Sequence, residues 1–424
     1  MRGRELDQST SAAGDAPLRI LIAVALAATL FLSVNAEAAH PRVGDRIEVR
    51  ADDMPNPYAT LSAFNQGRII VRTSSATLKV PDGFEANIFA FGFNNARWMT
   101  VAANGDVLVA DAKPGLVIVL RDSDGDGRAD IAETFAAGHR YPHGMAILDG
   151  YLYVTDLDNI WRYDYSDGQL KASGKPKAML PPGSLGGRSG HITRTLAISP
   201  DGARFYVAVG SRDNIAEEDP PRATVQEFAL DGSGQRTFAS GLRNPVGIAF
   251  RPGSDDLYVV VNERDGLGNE LVPDYLTRIE DGDFFGWPYA YIGTHIQPGF
   301  SRKRPDQVAK TKLPDVLFRS HSAPLGLVFY DASSFPADYR GDAFVALHGS
   351  WNAATPRGYM IVRVPFVNGR PAGHYRVFAT GFWERGESRA EVWGRPAGLA
   401  VAADGSLLIA DDVGGVIWRI SYRP

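Results

Sequence analysis

The chain has 424 residues, 44% of them hydrophobic and 10% aromatic, which excludes a disordered polypeptide and supplies enough apolar surface for a large core. A formal net charge of −5 with no basic run leaves no electrostatic footprint for nucleic acid. Cysteine is absent, so no disulfide framework is available and stability must come from packing, to which metal can add.

In chain order, residues 19–34 read RILIAVALAATLFLSV, one arginine followed by an apolar run, and residues 35–39 supply small side chains in an A-x-A pattern. This predicts a secretory signal over residues 1–38, with the mature protein periplasmic and not stably membrane-associated once the signal is cleaved. The alternative is an uncleaved anchor, for which the apolar run is short. Residues 39–75 read as an N-terminal extension, and residues 76–424 as one repeat domain.

The repeat is a short apolar strand, a turn, and a second alternating strand that ends near Asp, Gly or Asn. It recurs six times: WMTVAANGDVLVAD at residue 98, HGMAILDGYLYVTD at 143, RTLAISPDGARFYVAVG at 194, VGIAFRPGSDDLYVVVNE at 246, LGLVFYDASSFPADYRGDAFVALHG at 325 and AGLAVAADGSLLIAD at 397. Asn104-Gly105 and Asp149-Gly150 supply the positive φ that hairpin turns need. Several units are followed by a further strand, such as LVIVLRD or NIWRYDY. Small twisted sheets of this kind cannot bury both faces alone, so the predicted fold class is all-β, a six-bladed β-propeller.

Between the first and second repeats lies DSDGDGRADIAE, residues 122–133. Asp122, Asp124, Asp126 and Asp130 stand at loop positions 1, 3, 5 and 9, a glycine at 6 and Glu133 at 12, the spacing that folds hard oxygens around Ca2+. No helices flank it, so the expected role is to staple a connecting loop rather than to act as an EF-hand switch.

Several later motifs, in order, resemble the soluble pyrroloquinoline quinone (PQQ)-dependent sugar dehydrogenases of the glucose/sorbosone type. In GGRSGHITRTLAISPDG, His191 just ahead of a strand looks like that family's general base. VGSRDN resembles a strand-end loop that reaches cofactor and substrate, which makes Arg212 and Asn214 candidates. LRNPVGIAF resembles a strand entry whose Arg243 either supports the site or fixes the blade. VNERDGLGNELVPDYLTRI looks like the loop that holds calcium against the quinone. The resemblance there implies carbonyl ligands from Asp265 and Gly266, Arg264 along the cofactor edge, and Glu270 as an acidic neighbour. HSAP, HGSWN and GRP put His321, Ser350 and Arg395 where the family clamps its cofactor. Ser350 falls near where the glucose enzymes have a lysine, and Arg357 could replace that cation.

The resemblance spans roughly residues 78–423 and implies PQQ and Ca2+ as cofactors, a sugar substrate and an external electron acceptor. The expected reaction is oxidation of an aldose or sorbosone-type sugar to a lactone or acid, with hydride passing to the quinone and His191 taking the hydroxyl proton. Two alternatives keep the fold. One is a non-catalytic periplasmic scaffold or ligand sensor; the other is a calcium-dependent lactonase, which needs Asn214, Asn244 and Asp411 to converge. No dinucleotide fingerprint, phosphate loop or nucleophile elbow is present.

Overall fold

Each repeat becomes a pair of adjacent antiparallel strands. In the computed structural model, which describes residues 40–300 and 302–423, the first repeat gives Ala96–Val101 and Val107–Asp111, with Gly105 at φ +91° in the turn between them. The strands Leu116–Arg121 and Ile131–Ala137 then complete a four-stranded sheet. Among the described residues there are six such sheets of four or five strands, three smaller β-elements and one four-residue α-helix. The all-β expectation holds.

The six sheets begin with Ala96–Val101, Met145–Leu148, Arg194–Ile198, Asn244–Phe250, Pro324–Phe329 and Pro396–Val401. Each of these first strands packs beside the next, and the last packs beside the first. Glycine permits that approach: a Cβ on Gly144, Gly247, Gly326 or Gly398 would run into the backbone of the neighbouring sheet's first strand. The repeated H-G-M, V-G-I, L-G-L and A-G-L triplets are therefore a packing requirement at the centre of the molecule.

The core lies in slabs between neighbouring sheets. Trp98, Leu108 and Val119 of the first sheet meet Met145, Leu152 and Tyr163 of the second. Similar clusters fill the contacts from the second sheet round to the sixth, and Met99, Val107 and Val109 of the first sheet pack on Leu408, Ala410 and Ile417 of the sixth. The sixth sheet is completed by a strand from far earlier in the chain, Phe84–Phe91, paired antiparallel with Val416–Tyr422. The N-terminal extension adds Arg46–Ile47 to the edge of the fifth sheet and pairs Arg68–Ile69 with Glu391–Val392. No helix among the described residues is long and apolar enough to cross a membrane. The signal read over residues 1–38 lies outside the described residues.

Candidate active site

The loop that carries His191 is held from beneath by two buried cations. Arg194 donates to the carbonyls of Leu185, Gly187, His191 and Thr193, and Arg222 to those of Gly186, Ser189 and Gly210. Burial and the neighbouring Arg222 pull the Arg194 guanidinium down to about 9. His191 Nδ1 lies 2.8 Å from the Ser211 carbonyl, which can only accept, so Nδ1 carries the proton and the Nε2 lone pair is left free. Burial, and after it the charge of Arg243, lower the imidazole to about 4. It is therefore neutral near pH 7, the state a proton acceptor requires.

Asp265 gathers the loops of three sheets. Its Oδ2 is 3.2 Å from Arg243 Nη2, and its Oδ1 accepts from Asn352 Nδ2 and lies 3.6 Å from His321 Nδ1. Asn214 binds the Asp265 backbone in both directions, donating to its carbonyl at 2.8 Å and accepting its N–H at 2.9 Å. Arg243 also donates to Asn214 Oδ1 and to the Glu263 carbonyl. Burial raises the Asp265 carboxyl, but the contact with His321 and the Arg243 charge outweigh it and hold the group below its ordinary value. The two halves of the site join through Ser211, whose carbonyl holds His191 and whose N–H donates to the Arg243 carbonyl. Beside them, Asn244 Oδ1 is buried with no protein donor, and a Cβ on Gly210 would strike both it and His191.

The structure thus brings together His191, Asn214, Asp265 and His321 with Arg243, and adds Asn352, which the sequence reading did not place there. For Arg243, in LRNP, the sequence left open support of the site and fixing of the blade; Asn352 lies within HGSWN and has no signal of its own. Arg212 sits on the exposed edge of this loop, its Nε 3.8 Å from Glu218. Four of the expected cofactor residues are engaged within the protein itself. Arg264 is fully buried, paired with Glu263 at 2.9 Å and donating to the Pro288 and Ala290 carbonyls, so it fixes the aromatic FGWPYAY segment rather than lying along a cofactor edge. Ser350 Oγ accepts the Arg357 N–H within its own loop. Arg357 pairs with Glu270 and donates to the Asn269 and Ser320 carbonyls. Arg395 donates to the carbonyls of His348 and Gly349. For the three arginines, protein carbonyls have claimed guanidinium donors. Gly266 keeps open space around it, with nothing within 4 Å of where a Cβ would stand.

At the acidic loop, ligand atoms of Asp122, Asp124 and Asp130 lie within 4.8 Å of one another. Asp126 instead caps the Arg128 N–H, and Glu133 stands on a strand 3.4 Å from Lys171. With no following helix to swing position 12 inward, that carboxylate does not join the cluster.

The TrAA12-like family model matches residues 78–279 and 289–423. The chain belongs to the TrAA12-like family. An uncharacterized protein of Borreliella burgdorferi is 30% identical over 82% of this chain and 92% of its own length. The pyrroloquinoline quinone-dependent pyranose dehydrogenase of Coprinopsis cinerea is 26% identical over 81% of this chain, which spans only 54% of that enzyme. Two solved structures are similar with TM-scores of 0.69 at 20% identity. The holo PQQ domain of that pyranose dehydrogenase covers 84% of this chain and 100% of the domain. The calcium structure of the Trichoderma reesei family AA12 enzyme covers 83% of this chain and 98% of its own. This likeness assigns the fold that TrAA12-like proteins share with quinoprotein dehydrogenases, a β-propeller.

Proposed function

We propose that this chain is an exported, periplasmic PQQ- and calcium-dependent oxidoreductase that converts an aldose or sorbosone-type sugar to a lactone or acid and passes the electrons to an external acceptor. Its six sheets serve as the six blades of the propeller, and the site lies where the loops of the third, fourth and fifth converge. The observation that carries this reading is His191, a neutral imidazole with a free Nε2, joined through Ser211 and Arg243 to the Asp265 loop. The relatives support it: a pyranose dehydrogenase named for PQQ and a calcium-containing AA12 structure.

The residues present fit both groups. Calcium takes hard oxygens, and the carbonyls of Asp265 and Gly266 and the Asp265 carboxylate supply them at a turn left open by Gly266. The orphaned Asn244 Oδ1 offers a buried acceptor to a hydroxyl or N–H of a ligand. When bound, the quinone would supply the hydride acceptor and calcium would strengthen its electrophilicity. The remaining work falls to the chain. His191 Nε2 receives the proton of the hydroxyl on the carbon being oxidised, while Ser211 holds the ring in the accepting tautomer. Arg243 and Asn214 fix Asp265 and its loop, and Asn244 orients a hydroxyl. We also propose calcium at Asp122, Asp124 and Asp130, with a structural role.

A non-catalytic propeller is the second reading, favoured by the protein carbonyls that occupy Arg264, Arg357 and Arg395. The lactonase reading has less support. Asp411 caps the N–H groups of Arg395 and Gly414, and no cluster of three His or carboxylate donors among the described residues includes it.

The deciding experiment uses residues 39–424 with calcium, with and without PQQ, and follows dye reduction over a panel of aldoses and sorbosone. Quinone-dependent turnover that falls by about 10²–10⁴ in His191→Ala is expected. Absence of quinone binding at saturating calcium would overturn the dehydrogenase and leave the non-catalytic reading.

A further inference from the structure

Residues 58–65, in the N-terminal extension, run along the Asp265 loop. Tyr58 donates its N–H to the Leu267 carbonyl at 2.7 Å, Thr60 Oγ1 accepts the Asn269 N–H at 2.8 Å, and Ser62 Oγ accepts the Gly268 N–H at 3.2 Å. Gly268 is pressed so close that a Cβ there would lie 2.9 Å from the Thr60 carbonyl. None of these residues belongs to a strand, and Leu61 and Phe64 are exposed, so the segment builds no sheet and buries little. Its hydrogen bonds go to loops.

Those loops are the ones that grip Asp265. In a trans peptide the N–H and C=O point in opposite directions. Thr60, by holding the Asn269 N–H, turns the Gly268 carbonyl the other way, where His321 Nε2 meets it at 3.3 Å. The same imidazole presents Nδ1 to Asn352 and Asp265. At its far end the segment holds the Asn352 loop: the Asn65 N–H donates to the Trp351 carbonyl at 2.7 Å, its side-chain amide to those of Ala353 and Ser388, and Phe64 packs edge-on against Trp351 at 5.8 Å. Asn352, between these contacts, donates to Asp265 Oδ1.

We infer that residues 58–65 are a positioning strap that sets the Asp265 loop for calcium, with Thr60 as the residue through which it acts. The strap touches no reacting atom; it works through the 268–269 peptide, His321 and Asn352. Partners that orient ligating groups in this way are worth about 10–100-fold in metal affinity. The inference rests on the reading of this loop as the calcium and quinone site.

The test is calcium affinity read from the absorbance of added PQQ, which reports only on calcium that contacts the quinone and is blind to the acidic loop at residues 122–130. Thr60→Val keeps the shape and removes the acceptor; Thr60→Ser keeps the acceptor. The Val variant is expected to need about tenfold more calcium, the Ser variant to match the parent, and the melting temperature of the metal-free protein to be the same in all three. Equal calcium affinity in the Val variant would overturn the strap. So would a lower metal-free melting temperature in that variant, since the segment would then be a general brace. A parent protein whose PQQ spectrum ignores calcium would instead bring down the proposed function itself, and the strap with it.

Discussion

Burial decides what His191 can do. Its ordinary value is 6.5, and in the fold it sits at about 4 because desolvation, with Arg243 second, disfavours the imidazolium. The acid limb of kcat/KM is therefore expected at about pH 4 rather than 6.5, and a limb at 6.5 would mean that a solvated group is the base. Stability carries the same signature. Between about 4 and 6.5 the unfolded chain binds more protons than the folded one, so this contribution is complete above 6.5 and is lost as pH falls through 4. In His191→Gln, urea-derived stability should rise less steeply with pH across that window; His348, also at about 4, and His143, lowered by burial, keep their share of the slope. The same competition for buried groups acts on other candidate site residues. The motifs placed Arg264, Arg357 and Arg395 on loops. They could not tell that unpaired carbonyls nearby would take the guanidinium donors, because those carbonyls come from segments distant in sequence.

At the scale of elements, the hairpins were legible because each rests on local chemistry: alternating side chains, a turn glycine, and, in the first, second and sixth, a second strand that runs into an aspartate. Those terminal aspartates have a common task. Asp111 caps the N–H groups of Asn94 and Asn95, Asp156 those of Arg140 and Asn159, and Asp411 those of Arg395 and Gly414, which ties each loop to its sheet. The acidic loop was legible for the same local reason, except at positions 5 and 12. The strap was not, since its partners lie between 206 and 323 residues away and its serine and threonine look like any polar linker. The acidic loop yields a direct prediction. In chelator, Asp124→Asn should be as stable as the parent or more so, because it relieves repulsion among three carboxylates and an amide oxygen can still accept the Asp126 N–H. With calcium a hundredfold above Kd and no quinone present, the parent should gain about 2.7 kcal/mol and the variant far less. Equal calcium stabilisation of both proteins would move the metal elsewhere.

For the whole molecule, the consequential contact is the one between chain ends. Phe84–Phe91 pairs with Val416–Tyr422, so the sixth sheet exists only when residues more than three hundred positions apart have met. Every apolar slab lies between two sheets, and the sixth sheet packs on both the fifth and the first. No sheet can then shed its neighbour without exposing a slab to water, and unfolding should be a single transition. Trp418 tests this at the closing strand. It is 1% exposed, lies opposite Ile88 and Ile409, and packs 5.5 Å from Trp393. Trp418→Ala should cost about 3–5 kcal/mol by loss of transfer free energy and by the cavity it leaves. Trp418→Phe should cost much less, because the indole N–H is buried without a partner and its removal also removes an unsatisfied donor. In urea both variants should keep one transition with an unchanged slope, read by fluorescence and circular dichroism together. Two separated transitions in the alanine variant would instead show that the seam between chain ends opens on its own while the other sheets stay packed.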